Sequence, residues 1–306
     1  MTMKQTFYSN GKLLITGEYL VLDGAKAFAL PTKFGQNLII EESEGEIIHW
    51  KSFDNDGSIW FEDTIPFSAI IRKERFDDAK NIKNTLIEIL HEAYLMNPDF
   101  ITSAKGYIIQ TELTFPKFWG LGTSSTLINN IAQWLQIDAF ELLKSSFGGS
   151  GYDIACAQNR LPITYQIVND KPVIEQVSFN PDFTDKMFFI YLNKKQNSKA
   201  AIASYYGKKG NIEKTIPVIN AITDEVIKAT TAKEFAFALQ NHEIEMSNIL
   251  ELATVQEAMF PDFDGIIKSL GAWGGDFVIS VSKENPTDYF KEKGFEIVIP
   301  YGEMIL

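Results

Sequence analysis

The sequence predicts a two-lobed α+β protein, strand-rich in its N-terminal half and helix-rich in its C-terminal half, with closing strands. Three observations carry this expectation. Residues 4–65 fall into short runs rich in β-branched and aromatic residues, separated by Gly, Asp or Asn. The region from about 198 to 269 reads as helix, with Thr231 and Glu234 spaced as a capping box. Glycine also concentrates in four short segments, at 11–18, 120–126, 148–153 and 271–276. Such density belongs where the backbone takes unusual dihedrals or approaches a ligand closely. A strand-rich half followed by a helix-rich half implies two lobes, drawn here at 1–178 and 179–306 with Asn180-Pro181-Asp182 as the hinge.

The elements follow in order. Strands are expected at 13–16, 19–22, 37–41, 47–51 and 58–62, with Asp23-Gly24 and Asp56-Gly57 as turns between them. Ile82, Leu86, Ile89, Leu90, Ala93 and Tyr94 recur at helical spacing and define a helix over 81–97, which Pro98 stops. A strand at 106–113 leads to Pro116 and the second glycine segment. From Ser124 the stripe Leu127, Ile128, Ile131, Ala132, Leu135 marks a helix, and 139–146 a shorter one. Segments 161–179 and 186–192 read as strands. Beyond the helical region, strands at 277–282 and 295–300 flank a helix near 286–293. There is no internal repeat and no low-complexity tract.

Composition narrows the function. With 28 Lys and Arg against 40 Asp and Glu, the formal net charge is −12. That weighs against a nucleic-acid partner, which would demand a basic patch. Cys156 is the only cysteine, so an internal disulfide is excluded and a reducing cytoplasm is expected. Polar residues interrupt every apolar run before Leu20, unlike a secretory leader. No stretch approaches the roughly 20 apolar residues that span a bilayer, so no membrane partner is expected.

The chemistry is concentrated in Gly120-Leu121-Gly122-Thr123-Ser124-Ser125-Thr126. Glycines there let backbone N–H groups converge on an anion, and the helix that follows adds free N–H donors and the positive end of its dipole. The neighbouring hydroxyls suit phosphate or Mg²⁺. No lysine precedes the Ser/Thr pair, so this is not a Walker loop. A Gly-rich turn before Ser or Thr also begins many ordinary helices. Two hydrolytic alternatives fail. Tyr152 stands where a nucleophile elbow needs glycine. His49, His91 and His242 are isolated, against a zinc site or a Ser-His-Asp triad.

Taken together, the segments resemble the motifs of the GHMP kinases. Gly11-Lys12 through Gly17-Glu18-Tyr19 is similar to that family's first motif, and Pro116 to Ser125 to its second. Ser150-Gly151-Tyr152-Asp153 resembles its S-G-x-D element, and 268–275 its third motif. The likeness is greatest to mevalonate and phosphomevalonate kinases. It implies a GHMP-kinase-like fold, ATP and Mg²⁺ as cofactors, and a small anionic acceptor, mevalonate or phosphomevalonate, in isoprenoid precursor synthesis. By the same resemblance Gly120, Leu121, Gly122, Thr123, Ser124, Ser125, Gly271 and Gly274 hold the nucleotide, and Ser124 and Glu141 bind Mg²⁺. Asp153 and Lys12 are the implied catalytic pair. Glu18, Tyr19, Lys195 and Lys199 are the implied acceptor contacts, the lysines belonging to a cluster with Lys194, Lys208 and Lys209. The resemblance leaves monomer or homodimer open. It also leaves open two other activities, a diphosphomevalonate decarboxylase and a ligand sensor without turnover. Trp273 replaces a motif glycine, Thr123 a serine, and the stretch from Ser124 to Asp153 is short, so Glu141 does not match the family's metal-binding glutamate cleanly.

Overall fold

The computed structural model describes residues 4–76, 82–194, 198–207 and 212–306. The chain divides into two compact units. The first comprises 1–11, 34–117 and 121–158; the second comprises 12–33, 118–120 and 159–306.

In the first unit, β1 (Gln5–Thr16) begins and β2 (Ala27–Glu42) ends, followed by β3 (Ile47–Phe53) and β4 (Ile59–Pro66). Then come α1 (Phe67–Ile71), α2 (Ile82–Met96), α3 (Asp99–Thr102) and β5 (Tyr107–Leu113). The unit closes with α4 (Thr123–Leu135), α5 (Ala139–Ser146) and α6 (Tyr152–Gln158). The strand order is β4-β3-β5-β2; β3 and β5 run parallel with Trp50 opposite Ile109, and the other pairs are antiparallel. Side chains alternate across the sheet, so Ile48 and Trp50 are buried while His49 between them is exposed. Leu38, Ile40, Ile48, Trp50, Ile65 and Ile109 form one core with the apolar stripes of α2, α4 and α5.

The second unit holds the remainder of β1 and β2, then β6 (Ile163–Val168), β7 (Lys171–Gln176) and β8 (Met187–Tyr191). Helices α7 (Ser198–Gly207), α8 (Ile212–Lys228), α9 (Ala232–Leu250) and α10 (Val255–Met259) follow. The last elements are β9 (Gly265–Ser269), β10 (Phe277–Ser282), α11 (Thr287–Glu292), β11 (Val298–Pro300) and α12 (Tyr301–Met304). An antiparallel four-stranded sheet runs β11-β8-β10-β9. The expected capping box opens α9: Thr231 Oγ1 accepts the Glu234 N–H, and the Glu234 carboxylate accepts the Thr231 N–H.

Several elements differ from the sequence reading. Residues 19–22 are not a strand; Leu20–Asp23 is a 3-10 turn, because the Gly17 and Tyr19 carbonyls accept the N–H groups of Val21 and Leu22. A strand reading of 37–41 captured only the end of β2. The strand begins at Ala27, and Pro31 and Gly35 lie between its stretch paired to β6 and its stretch paired to β5. Within 161–179 the chain turns at Asn169 and Asp170, both at positive φ, to pair β6 with β7 as a hairpin. Residues 265–269 are strand rather than helix, since Ile266 and Ile267 pair with β10. Pro98 ends α2 as expected and also opens α3, which buries Phe100 and Ile101. Among the described residues, no helix is long and apolar enough to cross a membrane.

Candidate functional site

In the first unit, the site begins at the N-terminus of α4. Gly122 stands there at φ 102, a conformation L side chains rarely adopt, and no side chain caps the helix. The first turn therefore presents backbone N–H groups with the positive end of the helix dipole behind them. Leu121 is fully buried and anchors the turn, while Thr123 and Ser124 are half-buried. The Ser125 hydroxyl donates back to the Gly122 carbonyl at 2.9 Å, which leaves its N–H rather than its side chain to face an anion.

Beneath this turn lies a neutral, buried network. Thr126 Oγ1 donates to Gln36 Oε1 at 2.7 Å, Asn130 Nδ2 to the Gln36 carbonyl, and Ser9 Oγ to Asn130 Oδ1. Asn129 donates to Ser9 Oγ and accepts from Gln158 Nε2 at 3.0 Å, tying α4 to α6. Asp153 sits in the first turn of α6, half-buried, with its Oδ1 accepting the Ile154 N–H at 3.1 Å. Glu141 is exposed in the first turn of α5, where Asp138 caps the helix. Among the described residues no group of three His, Cys, Asp or Glu could hold a metal ion.

The second unit contains the other sequence-derived residues. Lys12 Nζ donates to the Gly120 carbonyl at 3.1 Å. Gly120 is at φ 69, and a Cβ there would collide with the Asp276 carboxylate. Asp276 is held in turn by its N–H, which donates to the Lys194 carbonyl at 2.7 Å. Gly271 and Gly274, at φ 69 and 70, lie in the turn that joins β9 to β10. Trp273 in this turn is half-buried against Tyr19, Leu20 and Tyr205; its backbone N–H donates to the Tyr19 hydroxyl at 2.8 Å, and its indole to the Ala253 carbonyl. Lys194 is exposed. Lys195, Lys208 and Lys209 lie outside the described residues, and Lys199 falls within α7.

Glu18 is buried. Its Oε1 accepts from Lys268 Nζ at 2.5 Å, and Lys268 Nζ also donates to the Ser269 carbonyl at 2.7 Å. His242 Nε2 accepts the Gly17 N–H at 2.9 Å, and Glu243 Oε1 accepts the Ser269 N–H at 3.1 Å. Burial raises the Glu18 carboxyl from its ordinary 4.5 to about 7, with Lys268 opposing the rise. Burial likewise raises Glu243 and, with the nearby Lys268 charge, holds His242 well below the usual imidazole range. Histidine here is thus a neutral acceptor. Sequence reasoning left Lys268, His242 and Glu243 without roles. The usable signal was the His-Glu pair on a helix facing a lysine just before a glycine turn.

Glu18 makes stability depend on pH with a determined sign. A raised carboxyl pKa stabilises the fold fully below pH 4.5, and that contribution disappears as pH rises through 7. His242, held neutral, acts in the opposite direction on acidification. Glu18→Gln is therefore expected to flatten, relative to the parent, the fall in melting temperature between about pH 5 and 8. A parallel pair of melting curves across that range would refute the burial argument.

By sequence the chain matches no protein-family model and no curated protein. Its fold does match solved structures. Methanococcus jannaschii mevalonate kinase superposes with a TM-score of 0.68 at 15% identity, over 97% of this chain and 96% of that one. Streptococcus pneumoniae phosphomevalonate kinase, solved with phosphomevalonate and AMPPNP, gives 0.67 at 15% identity over 94% and 95%. Lactococcus lactis galactokinase, solved with galactose, gives 0.65 at 13% identity over 95% and 88%. With both units accounted for along nearly the whole of these chains, the architecture is the GHMP-kinase fold.

Proposed function

We propose that the protein is an ATP- and Mg²⁺-dependent small-molecule kinase acting on an anionic acceptor of the mevalonate or phosphomevalonate type. The observation that carries this reading is the uncapped N-terminus of α4 behind Gly122, flanked by the half-buried Thr123 and Ser124. A triphosphate is the ligand such a cradle suits, and the fold shared with kinases of small molecules supports the choice. On this reading the backbone N–H groups of Leu121 to Ser125 bind phosphate oxygens, and Gly120, Gly271 and Gly274 of the second unit keep the nucleotide-binding role that the resemblance gives them. Mg²⁺ keeps most of its shell as water and substrate phosphate, so it needs few protein ligands. Ser124 is the nearest fit in this chain, and Glu141, exposed on α5, the second.

In the transfer, an acceptor oxygen attacks the γ-phosphorus, the bond to the bridging oxygen breaks, and ADP leaves with that electron pair. Asp153 orients an acceptor hydroxyl and receives its proton; a phosphate acceptor has no such proton to lose. Lys12 offsets negative charge near the transferred group. Tyr19 and the lysines at 194–199 serve the acceptor's anionic end. Because the transition state is loose, positioning and charge neutralisation matter more than proton removal. The test is ADP release with Mg²⁺-ATP against mevalonate, phosphomevalonate, homoserine and galactose. ADP formation dependent on an anionic acceptor is expected. ATP binding with no acceptor-dependent ADP, or CO₂ release from diphosphomevalonate, would replace the reading with a sensor or a decarboxylase.

A further inference from the structure

Three segments of the second unit meet at one buried lysine. Lys268, in β9, is 1% exposed, and its ammonium touches the Glu18 carboxylate and the Ser269 carbonyl. Helix α9 faces the same point with His242, which takes the Gly17 N–H, and Glu243, which takes the Ser269 N–H. A further bond, from the Trp273 N–H to the Tyr19 hydroxyl, joins the same turn to the glycine loop. The turn itself is strained. Tyr19 stands at φ 60 and ψ −51, unusual for a bulky residue, and Gly17 at φ 88 packs so that a Cβ would lie 2.8 Å from the Ala27 Cα. Strained backbone of this kind persists only where its surroundings over-determine it.

Stability alone is a poor account of the arrangement. A buried ion pair can often be replaced by packed apolar residues without loss. Here the cluster also leaves His242 Nδ1 without a hydrogen bond among the described residues, and Glu18 Oε2 has only the His242 Nε2 contact at 3.4 Å. Glu18, His242 and Glu243 each spend their other polar atom on a bond that fixes the turn or the loop.

We propose that Lys268 is a positioning residue: by holding Glu18 and the Ser269 carbonyl on one ammonium, it locks the strained 17–19 turn to the 270–276 glycine loop. Tyr19 and the glycines at 271 and 274 are thereby held where ligand binding requires them. Glu18 acts within this lock, through Tyr19. The groups facing Lys268 are Glu18 from the turn and His242 and Glu243 from α9. The kinetic half of this inference rests on the proposed kinase activity, and the structural half does not.

The test is the full chain carrying Lys268→Met with Glu18→Gln, which removes both charges and avoids an unpaired one. Amide hydrogen exchange at Gly17, Ser269 and Trp273 is expected to quicken by about tenfold or more, with β10 and α2 unchanged. With Mg²⁺-ATP and an active acceptor, kcat is expected to fall by about ten- to a hundredfold and KM for ATP to rise, since the glycines at 271 and 274 lose their fixed positions. Unchanged exchange at those amides overturns the proposal. Faster exchange with parental kcat also overturns it, since the lock would then be structural only. If the parent itself shows no acceptor-dependent turnover, the kinase reading fails, and the exchange result alone decides the lock.

Discussion

Asp153→Ala is expected to lower turnover by about 10²–10⁴-fold, the usual loss for a positioned acid–base group. The residue stands in the first turn of α6, where one carboxylate oxygen accepts the adjacent Ile154 N–H. Its helix is bonded to α4 through Gln158 and Asn129, so a change in activity should not follow from a shifted backbone. Asp153→Asn separates two contributions. If the acceptor is an alcohol, asparagine keeps the positioning but loses the proton-accepting oxygen, so turnover should fall, though less than with alanine. With a phosphate acceptor there is no proton to take, and asparagine should retain most of the rate. The check is kcat at saturating ATP for both variants, with melting temperature as the control for folding. Alanine at parental kcat would remove Asp153 from the mechanism.

Lys268→Met alone is expected to destabilise the protein by about 3–5 kcal/mol, the typical loss on breaking a buried pair from one side. The remaining Glu18 carboxylate is 3% exposed, so bulk solvent does not reach it to take the place of the ammonium. Glu18 already favours its protonated form, its pKa standing near 7 even with Lys268 beside it. Without the lysine it protonates more readily still, and at acid pH it can become neutral at little cost. The deficit should therefore be smaller near pH 5.5 than near pH 8. Melting temperatures at the two values check it; equal deficits would mean that the lost interaction is not the ion pair. Adding Glu18→Gln should return much of the stability at pH 8, though not the rigidity of the 17–19 turn.

Local signals explain which elements were legible. The stripe from Leu127 to Leu135 and the run from Ile82 to Tyr94 each bury one helical face, and α4 and α2 appear within a residue of the expected bounds. Residues 139–146 and 277–282 appear as expected, because apolar periodicity and composition agreed there. Residues 19–22 misled because Tyr-Leu-Val-Leu has strand composition but follows Gly17, whose backbone turns the chain into a 3-10 coil. Likewise 265–269 is short and apolar, and period alone cannot assign such a run; its pairing with β10 does.

By itself the sequence determined the mixed α+β character, the principal helices, the capped start of α9 and the glycine turn ahead of α4. Each of those depends on residues close together in the chain. Tertiary structure alone decided that Lys268, His242 and Glu243 surround Glu18, and that Lys12 meets Gly120 and Trp273 meets Tyr19. These contacts join positions separated by more than a hundred residues, and in a buried cluster each charge is tolerated only because of the others. No local pattern records such mutual dependence, since it arises when separate strands, turns and a helix exclude water from a single point.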